Sequence, residues 1–151
     1  MFGFMNHVVN PIIIFLLRGP FRKSWGAGML VLTYHGRKSG KAYSLPVNYF
    51  QDGGDIIIIP GQPEAKKWWR NIRGGANVSV SLRGEEKSGQ AQLWEAPGQL
   101  DLISSALLKQ VTKFPNFAPM YGVKTGDNKV ITSDAVRKAA ETLVVVKITL
   151  G

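Results

Sequence analysis

Short apolar runs separated by turn residues constrain the fold of this chain more than any other feature. Runs that are apolar, or that alternate apolar and polar residues, occur at 29–34, 42–50, 56–59, 77–83, 88–95 and 142–150. Glycine, proline, asparagine and aspartate cluster between several of them, which is typical of strands joined by short turns. Helices are predicted at 10–18, 65–73, 97–113 and 133–141. The pattern predicts a mainly β fold, a six-stranded antiparallel split barrel with short peripheral helices, rather than alternating βαβ units.

The size and composition indicate one domain. The chain has 151 residues, of which 44% are hydrophobic, so a sizeable core can form. No linker, repeat or low-complexity tract interrupts residues 1–151. The absence of cysteine excludes a disulfide framework and a cysteine nucleophile, and two histidines argue against a metal site built on histidine. We therefore expect a single domain with no metal.

Positive charge is concentrated in the N-terminal half. The chain has 19 Lys and Arg against 10 Asp and Glu, a net charge of +9. Residues 1–51 contain six basic residues and no acidic one, whereas the region from 84 onward is nearly balanced. Such a field attracts an anion, which would be a phosphorylated cofactor, an anionic lipid or a nucleic acid. The alternative is a basic surface that only aids solubility.

The N-terminal segment, residues 1–23, is apolar and ends in basic residues. Its uninterrupted apolar run, Ile12–Leu17, is six residues long, far below the roughly 20 that span a bilayer. The basic residues follow the run, unlike those of a secretory signal. We expect a short helix that either covers one face of the barrel or lies on a membrane surface, with Arg18, Arg22 and Lys23 facing anionic headgroups. The expected location is the cytoplasm, with the inner face of the membrane as the alternative.

A basic loop rich in glycine, Gly36–Lys41, follows the first predicted strand. Three residues separate its glycines and Ala42 follows Lys41, so it is not a Walker A loop. A strand follows it, so it is not a Rossmann fingerprint either. Three cations, a hydroxyl and several free backbone N–H groups would suit a phosphate or a carboxylate. An exposed turn with solvated charges is the alternative.

A second basic segment combines lysine and arginine with two adjacent tryptophans. As a helix, residues 65–73 would place Lys66, Arg70 and Arg73 on one face, away from Trp68. Adjacent tryptophans on a surface helix are not expected to be buried together, so one of them should line a groove, unless both belong to the core. Trp68 and Trp69 are the only aromatic residues within a basic cluster, whereas surfaces that bind single strands interleave several. We therefore expect no nucleic-acid partner.

The two basic segments, in this order, carry a resemblance to a known family. The sequences LTYHGRKSGKAYSLPVNYFQDGGDIIIIPG and KKWWRNIRGGANVSVSLRG resemble the deazaflavin-dependent nitroreductases. These are quinone and nitro-compound reductases related to the split-barrel FMN-binding proteins. The resemblance covers residues 25–96 and implies a split barrel that binds coenzyme F420, an 8-hydroxy-5-deazaflavin with a phosphate and an oligoglutamate tail.

The resemblance also implies roles for individual residues. The residues expected to hold the phosphate are Arg37, Lys38, Ser39, Gly40 and Lys41. Those expected to lie against the ring are Pro46, Val47, Ile59, Pro60 and Gly61. The helix expected to close the site contributes Lys67 and Trp68, with Lys66 or Arg70 meeting the tail, and Tyr121 is expected in the substrate pocket.

The implied activity is transfer of a hydride from reduced F420 to a small-molecule electron acceptor, namely a quinone, a nitro compound or an activated alkene. FMN in place of F420 stays open, as does a homodimer that shares a site across its interface. The alternative function is a non-catalytic split barrel that holds a fatty acid or a flavin at the membrane surface.

Overall fold

A computed structural model describes residues 28–82, 84–125 and 130–151. The segment 1–23, with its predicted helix at 10–18, lies outside these ranges. Within them, no helix combines the length and the apolar character that crossing a membrane requires.

Within the described residues, seven strands form one antiparallel sheet. They are β1 (Met29–His35), β2 (Ala42–Asn48), β3 (Phe50–Asp52), β4 (Asp55–Ile58), β5 (Ala76–Leu82), β6 (Glu85–Glu95) and β7 (Val144–Leu150). Their order across the sheet is β2-β1-β5-β6-β7-β4-β3. The mainly β split-barrel prediction is confirmed, but the predicted count of six strands is wrong.

The additional strand results from a break at Tyr49. β2 pairs with β1 until Asn48 meets Met29, the first residue of β1. The Tyr49 N–H then donates to the Gly28 carbonyl at 3.2 Å. From Phe50 onward the chain pairs with β4 instead. Because β2 and β3 are consecutive in sequence yet occupy opposite edges of the sheet, the sheet curls until its two edges approach each other, which closes the split barrel.

Alternation along the strands creates two cores. Ile56 and Ile58 on β4 face the barrel interior, together with side chains from β1, β5 and β7. Phe50, Ile57 and Val145 face the other side of the sheet, where they pack against the helices. Since successive side chains of a strand point to opposite faces, one run of isoleucines serves both cores.

Two α-helices cover the outer core. They are α1 (Leu100–Lys113) and α2 (Ser133–Ala140). Ile103, Ala106, Leu107 and Val111 of α1 recur at helical spacing, and all four are buried. α2 begins at Ser133, the predicted start, and its cap is Thr132, whose side chain accepts the Ala135 N–H at 3.2 Å.

Four short 3₁₀ helices complete the described chain. They are Pro63–Ala65, Trp68–Ile72, Pro115–Phe117 and Pro119–Tyr121. The predicted helix at 65–73 is therefore wrong: the first 3₁₀ helix ends at Ala65 and the second begins at Trp68. Pro63 starts this stretch, and Gly74 and Gly75, at φ of 81° and 94°, end it. Lys66, extended at φ of −120° and ψ of 141°, divides it into two pieces that are each too short for an α-helix.

Candidate functional site

The basic loop is the turn of the hairpin formed by β1 and β2. Tyr34 pairs with Tyr43 and His35 with Ala42, so residues 36–41 connect the two strands. Gly40 has φ of +70°, in the region that glycine adopts without strain. A Cβ on Gly36 would lie 2.8 Å from Ser39 Oγ and 3.1 Å from a ring carbon of Tyr43. The tight packing around Gly36 and the positive φ of Gly40 therefore explain both glycines.

The loop is closed mainly by its own hydrogen bonds. The Gly36 N–H donates to the Lys41 carbonyl and the Gly40 N–H to the Gly36 carbonyl, each at 2.9 Å. The Lys41 N–H donates to Ser39 Oγ at 3.2 Å. Only the N–H groups of Lys38 and Ser39 lack a partner among the described residues. The predicted nest of several free N–H groups therefore reduces to two.

Both tryptophans of the second basic segment are buried, which corrects the expectation that they could not be. Trp68 is 2% and Trp69 6% exposed. Trp68 packs in the barrel interior. Trp69 Nε1 donates to the Pro63 carbonyl at 2.8 Å, and the guanidinium groups of Arg70 and Arg73 lie 5.5 and 5.4 Å from its ring centroid. The arginines thus cover Trp69 from solvent through cation–π contacts.

Hydrogen bonds join the loop to the second segment. The Arg37 N–H donates to Asn71 Oδ1 at 2.9 Å, and Arg37 Nη1 donates to the Arg70 carbonyl at 3.0 Å. Asn71 Nδ2 in turn donates to the Trp68 carbonyl at 3.0 Å. Asn71 therefore bridges the hairpin loop and the 3₁₀ helix Trp68–Ile72.

The two basic segments line one open groove of about 1130 Å³, called here the larger groove. Its lining residues are Tyr34, Gly36, Arg37, Lys38, Ser39, Tyr43, Ala65, Lys67, Trp68, Arg70, Asn71 and Arg73. Five of these are lysine or arginine and none is acidic. Both cationic segments therefore face one groove. Gly40 and Lys41, predicted with them, line neither this groove nor the cavity described below.

The cations of the larger groove differ in how far they are already engaged. Arg73 forms a bidentate ion pair with Glu95, with Nη2 and Oε1 2.7 Å apart. Arg37 is hydrogen-bonded to a backbone carbonyl. Lys38 and Lys67 appear in no ion pair or side-chain hydrogen bond within the described part of the chain. The Arg70 guanidinium lies over the Trp69 ring, so these two lysines are the cations most available to an anionic ligand.

Aromatic rings form an apolar wall of the larger groove. Tyr34 stacks on Tyr43 with ring centroids 5.7 Å apart, and Trp68 lies 6.1 Å from Tyr34. Burial, reinforced by the neighbouring Tyr43, raises the pKa of Tyr34 well above its ordinary value, so its hydroxyl stays protonated. Sequence reasoning missed both tyrosines. Their symmetric placement around the loop predicts a cross-strand pair and could have identified them.

A smaller cavity of about 210 Å³ adjoins Trp68, which lines both spaces. It collects the residues predicted to face a ring, namely Pro46, Val47, Ile59, Pro60 and Gly61. The other lining residues are Leu45, Asn48, Ile58, Lys66, Trp68, Met120 and Tyr121. A Cβ on Gly61 would lie 3.3 Å from Met120 Cγ. Because Gly61 has no Cβ, the Met120 side chain has room to pack beside it and line the cavity.

The predicted basic face of Lys66, Arg70 and Arg73 does not form. Arg70 and Arg73 line the larger groove, whereas Lys66 lines the smaller cavity. Lys66 Nζ donates to the Gly61 carbonyl at 2.5 Å. The reason is that residue 66 is extended, with φ of −120° and ψ of 141°, between the two 3₁₀ helices.

Tyr121 lines the smaller cavity, as expected of a residue in a substrate pocket, but it is 3% exposed. Burial raises the pKa of Tyr121 to about 12, and a hydrogen bond with the Gln110 side chain opposes part of this rise. Its hydroxyl is therefore neutral at physiological pH and is engaged by α1. Tyr121 shapes the cavity with its ring and is poorly placed to release a proton.

The two spaces together suit one kind of ligand. The larger groove offers cations, the two free N–H groups of the loop and an aromatic wall, which fit phosphate and carboxylate groups. The smaller cavity is mostly apolar and fits a planar ring. No group of three His, Asp or Glu side chains that could hold a metal ion occurs in the described ranges. The site therefore fits a planar ring that carries an anionic tail.

Comparison with known proteins gives a matching family and matching folds. A family model described as F420H(2)-dependent quinone reductase matches residues 19–126. Rv3178 of Mycobacterium tuberculosis, whose given name places it among F420H(2)-dependent quinone reductases, is 26% identical over an alignment of 80 residues that covers 45% of this chain and 67% of Rv3178.

Solved structures share the fold. One described as F420-H2 Dependent Reductase (FDR-A) matches 81% of this chain and 94% of its own at a TM-score of 0.54 and 17% identity. Another, described as a domain-swapped dimer, matches 96% of both chains at 0.56 and 14% identity. Identities this low support the fold alone.

Proposed function

Because the chain belongs to the F420H(2)-dependent quinone reductase family and is thus an F420H2-dependent oxidoreductase, we propose that it reduces a quinone, a nitro compound or an activated alkene. The observation that carries this proposal is the meeting of two cationic segments on one groove beside an apolar cavity. The anionic tail of F420 would lie in the larger groove and its ring in the smaller cavity.

The chain's own residues would bind and orient the cofactor. The chemistry that F420 supplies when bound is hydride donation from its reduced ring. Lys38 and Lys67 would hold the phosphate and the glutamate carboxylates, supported by the free N–H groups of Lys38 and Ser39. Pro46, Val47 and Ile59 would exclude water from the ring.

The remaining predicted residues take indirect roles in this proposal. Arg37 would hold the loop in place through Asn71 and the Arg70 carbonyl. Gly40 and Lys41 would act through the loop's closure, Gly40 by donating its N–H to the Gly36 carbonyl and Lys41 by accepting the Gly36 N–H and donating to Ser39. Tyr121 and the half-exposed Met120 would bound the place where an acceptor approaches the ring.

A homodimer is the assembly that we propose. A structure of the same fold, described as a domain-swapped dimer, supports this proposal. Light scattering of the purified chain tests this, with twice the mass of 16.6 kDa expected. A monomer at all concentrations would refute it.

The experiment that tests the function is a titration followed by turnover. Oxidised F420, FMN and a fatty acid are titrated separately into the full chain, and menadione reduction is then measured with reduced F420. We expect F420 to bind most tightly and menadione to be reduced. Fatty-acid binding without F420 binding would instead support a ligand carrier.

A further inference from the structure

The smaller cavity contains a single charged side chain, Lys66, among its twelve lining residues. Apart from Asn48 and Tyr121, the other members are apolar or glycine. Tyr121 is the only other titratable group there, and its buried hydroxyl is neutral and bonded to Gln110. The cavity therefore presents one positive charge and no negative one.

The backbone around residue 66 places this charge in the cavity. Lys66 is extended, whereas Lys67 has αR geometry with φ of −113° and ψ of −14°. The two adjacent lysines consequently separate, Lys67 toward the larger groove and Lys66 toward the smaller cavity. The Lys66 residue is exposed overall, but the hydrogen bond from its Nζ to the Gly61 carbonyl is partly buried. Lys66 is thus accessible both to solvent and to the smaller cavity.

No carboxylate neutralises this ammonium group. Lys66 takes part in none of the ion pairs formed among the described residues, and no acidic residue lines the cavity. A carbonyl oxygen is its one hydrogen-bond partner in the described part of the chain. Two further ammonium protons remain free to donate to a ligand.

We propose that Lys66 makes the smaller cavity selective for a ring that carries negative charge, and that it thereby favours 8-hydroxydeazaflavin over FMN. This inference rests on the proposed function. The 8-hydroxyl is conjugated with the ring, so it releases its proton to solvent and the resulting negative charge is delocalised. Oxidised FMN has a methyl group at that position and stays neutral. Both molecules carry a phosphate, so a phosphate contact with the basic loop does not by itself distinguish their rings.

The first test compares affinities for the two oxidised cofactors. Lys66→Met is expected to weaken F420 binding by about three- to tenfold, the range of a charge-assisted contact reduced by solvent exposure, and to leave FMN binding unchanged. Lys66→Arg should retain the preference. Lys67→Met is the contrast: Lys67 lines the larger groove, which would hold the phosphate of either ligand, so the affinity for FMN should fall as well as the affinity for F420.

The second test reads the ionisation of the bound ring directly. The absorbance of protein-bound oxidised F420 is followed as a function of pH, with no turnover involved. In Lys66→Met the ring hydroxyl should ionise about half to one pH unit higher than in the unaltered chain, the linked equivalent of the lost affinity. Lys66→Arg should ionise like the unaltered chain.

The outcomes separate this inference from the function on which it rests. If the unaltered chain binds F420 and Lys66→Met changes neither the F420 affinity nor the ring ionisation, the selectivity role of Lys66 is refuted and the proposed function stands. An equal loss of F420 and FMN affinity refutes it as well. If the unaltered chain binds no F420, the proposed function itself fails.

Discussion

Two lysines of the same loop should differ in their effect on cofactor binding. Lys38 lines the larger groove, whereas Lys41 lines neither cavity. We expect Lys38→Ala to weaken F420 binding about tenfold, as loss of one charge-assisted contact does, and Lys41→Ala to change it by less than about twofold. Fluorescence titration measures both. Equal losses would mean that the loop acts through its overall charge and not through the groove.

Gly36 is the residue of the loop most sensitive to an added methyl group. A Cβ there would approach Ser39 Oγ to 2.8 Å and the Tyr43 ring to 3.1 Å. Gly36→Ala is therefore expected to destabilise the fold by about 1–2 kcal/mol through overpacking. The matched control is Gly54→Ala, where no atom lies within 4 Å and φ is not positive. Urea unfolding measures both, and equal stability of the two variants would contradict the packing described here.

At the scale of elements, Asn71 connects the hairpin loop to the 3₁₀ helix Trp68–Ile72. Asn71→Ala removes both of its hydrogen bonds, so we expect a loss of about 1–2 kcal/mol in the free energy of unfolding. F420 affinity should fall several-fold, because Asn71 would no longer fix the position of the hairpin loop relative to the 3₁₀ helix, and both line the larger groove.

The control for this prediction is Asn116→Ala, in another 3₁₀ helix. Asn116 is exposed and donates or accepts no side-chain hydrogen bond among the described residues. It should leave both stability and affinity unchanged. If Asn71→Ala lowers stability and leaves affinity intact, the bridge is structural only.

The segment from Pro63 to Gly75 shows where prediction from sequence fails. Helical spacing predicts one basic face, because it assumes a single continuous helix. Lys66 is extended and divides the segment, so Lys66 lines the smaller cavity whereas the adjacent Lys67 lines the larger groove. Both tryptophans are buried because one enters the barrel interior while arginines cover the other. These outcomes depend on tertiary contacts that spacing does not encode.

The whole fold was more predictable than its site. Alternating runs and turn clusters locate most strands, because a strand buried on one face needs period-two patterning. The break at Tyr49 is not visible in the sequence, because the alternation of apolar and polar residues continues through it. It occurs where β2 passes Met29, the first residue of β1. The groove was anticipated from its charges. The stacking of Tyr34 on Tyr43 can be predicted only once the pairing register of the β1–β2 hairpin is known.

At the scale of the whole molecule, the larger groove would bind the anionic tail of F420 and the smaller cavity would bind its ring. The most direct test compares the affinity for F420 with that for the same deazaflavin lacking the phosphate and the glutamates. We predict at least about a hundredfold weaker binding of the shortened molecule, the loss of two charge-assisted contacts, and most of that difference should vanish in the double variant Lys38→Ala, Lys67→Ala. Equal affinity of the unaltered chain for both molecules would contradict the account.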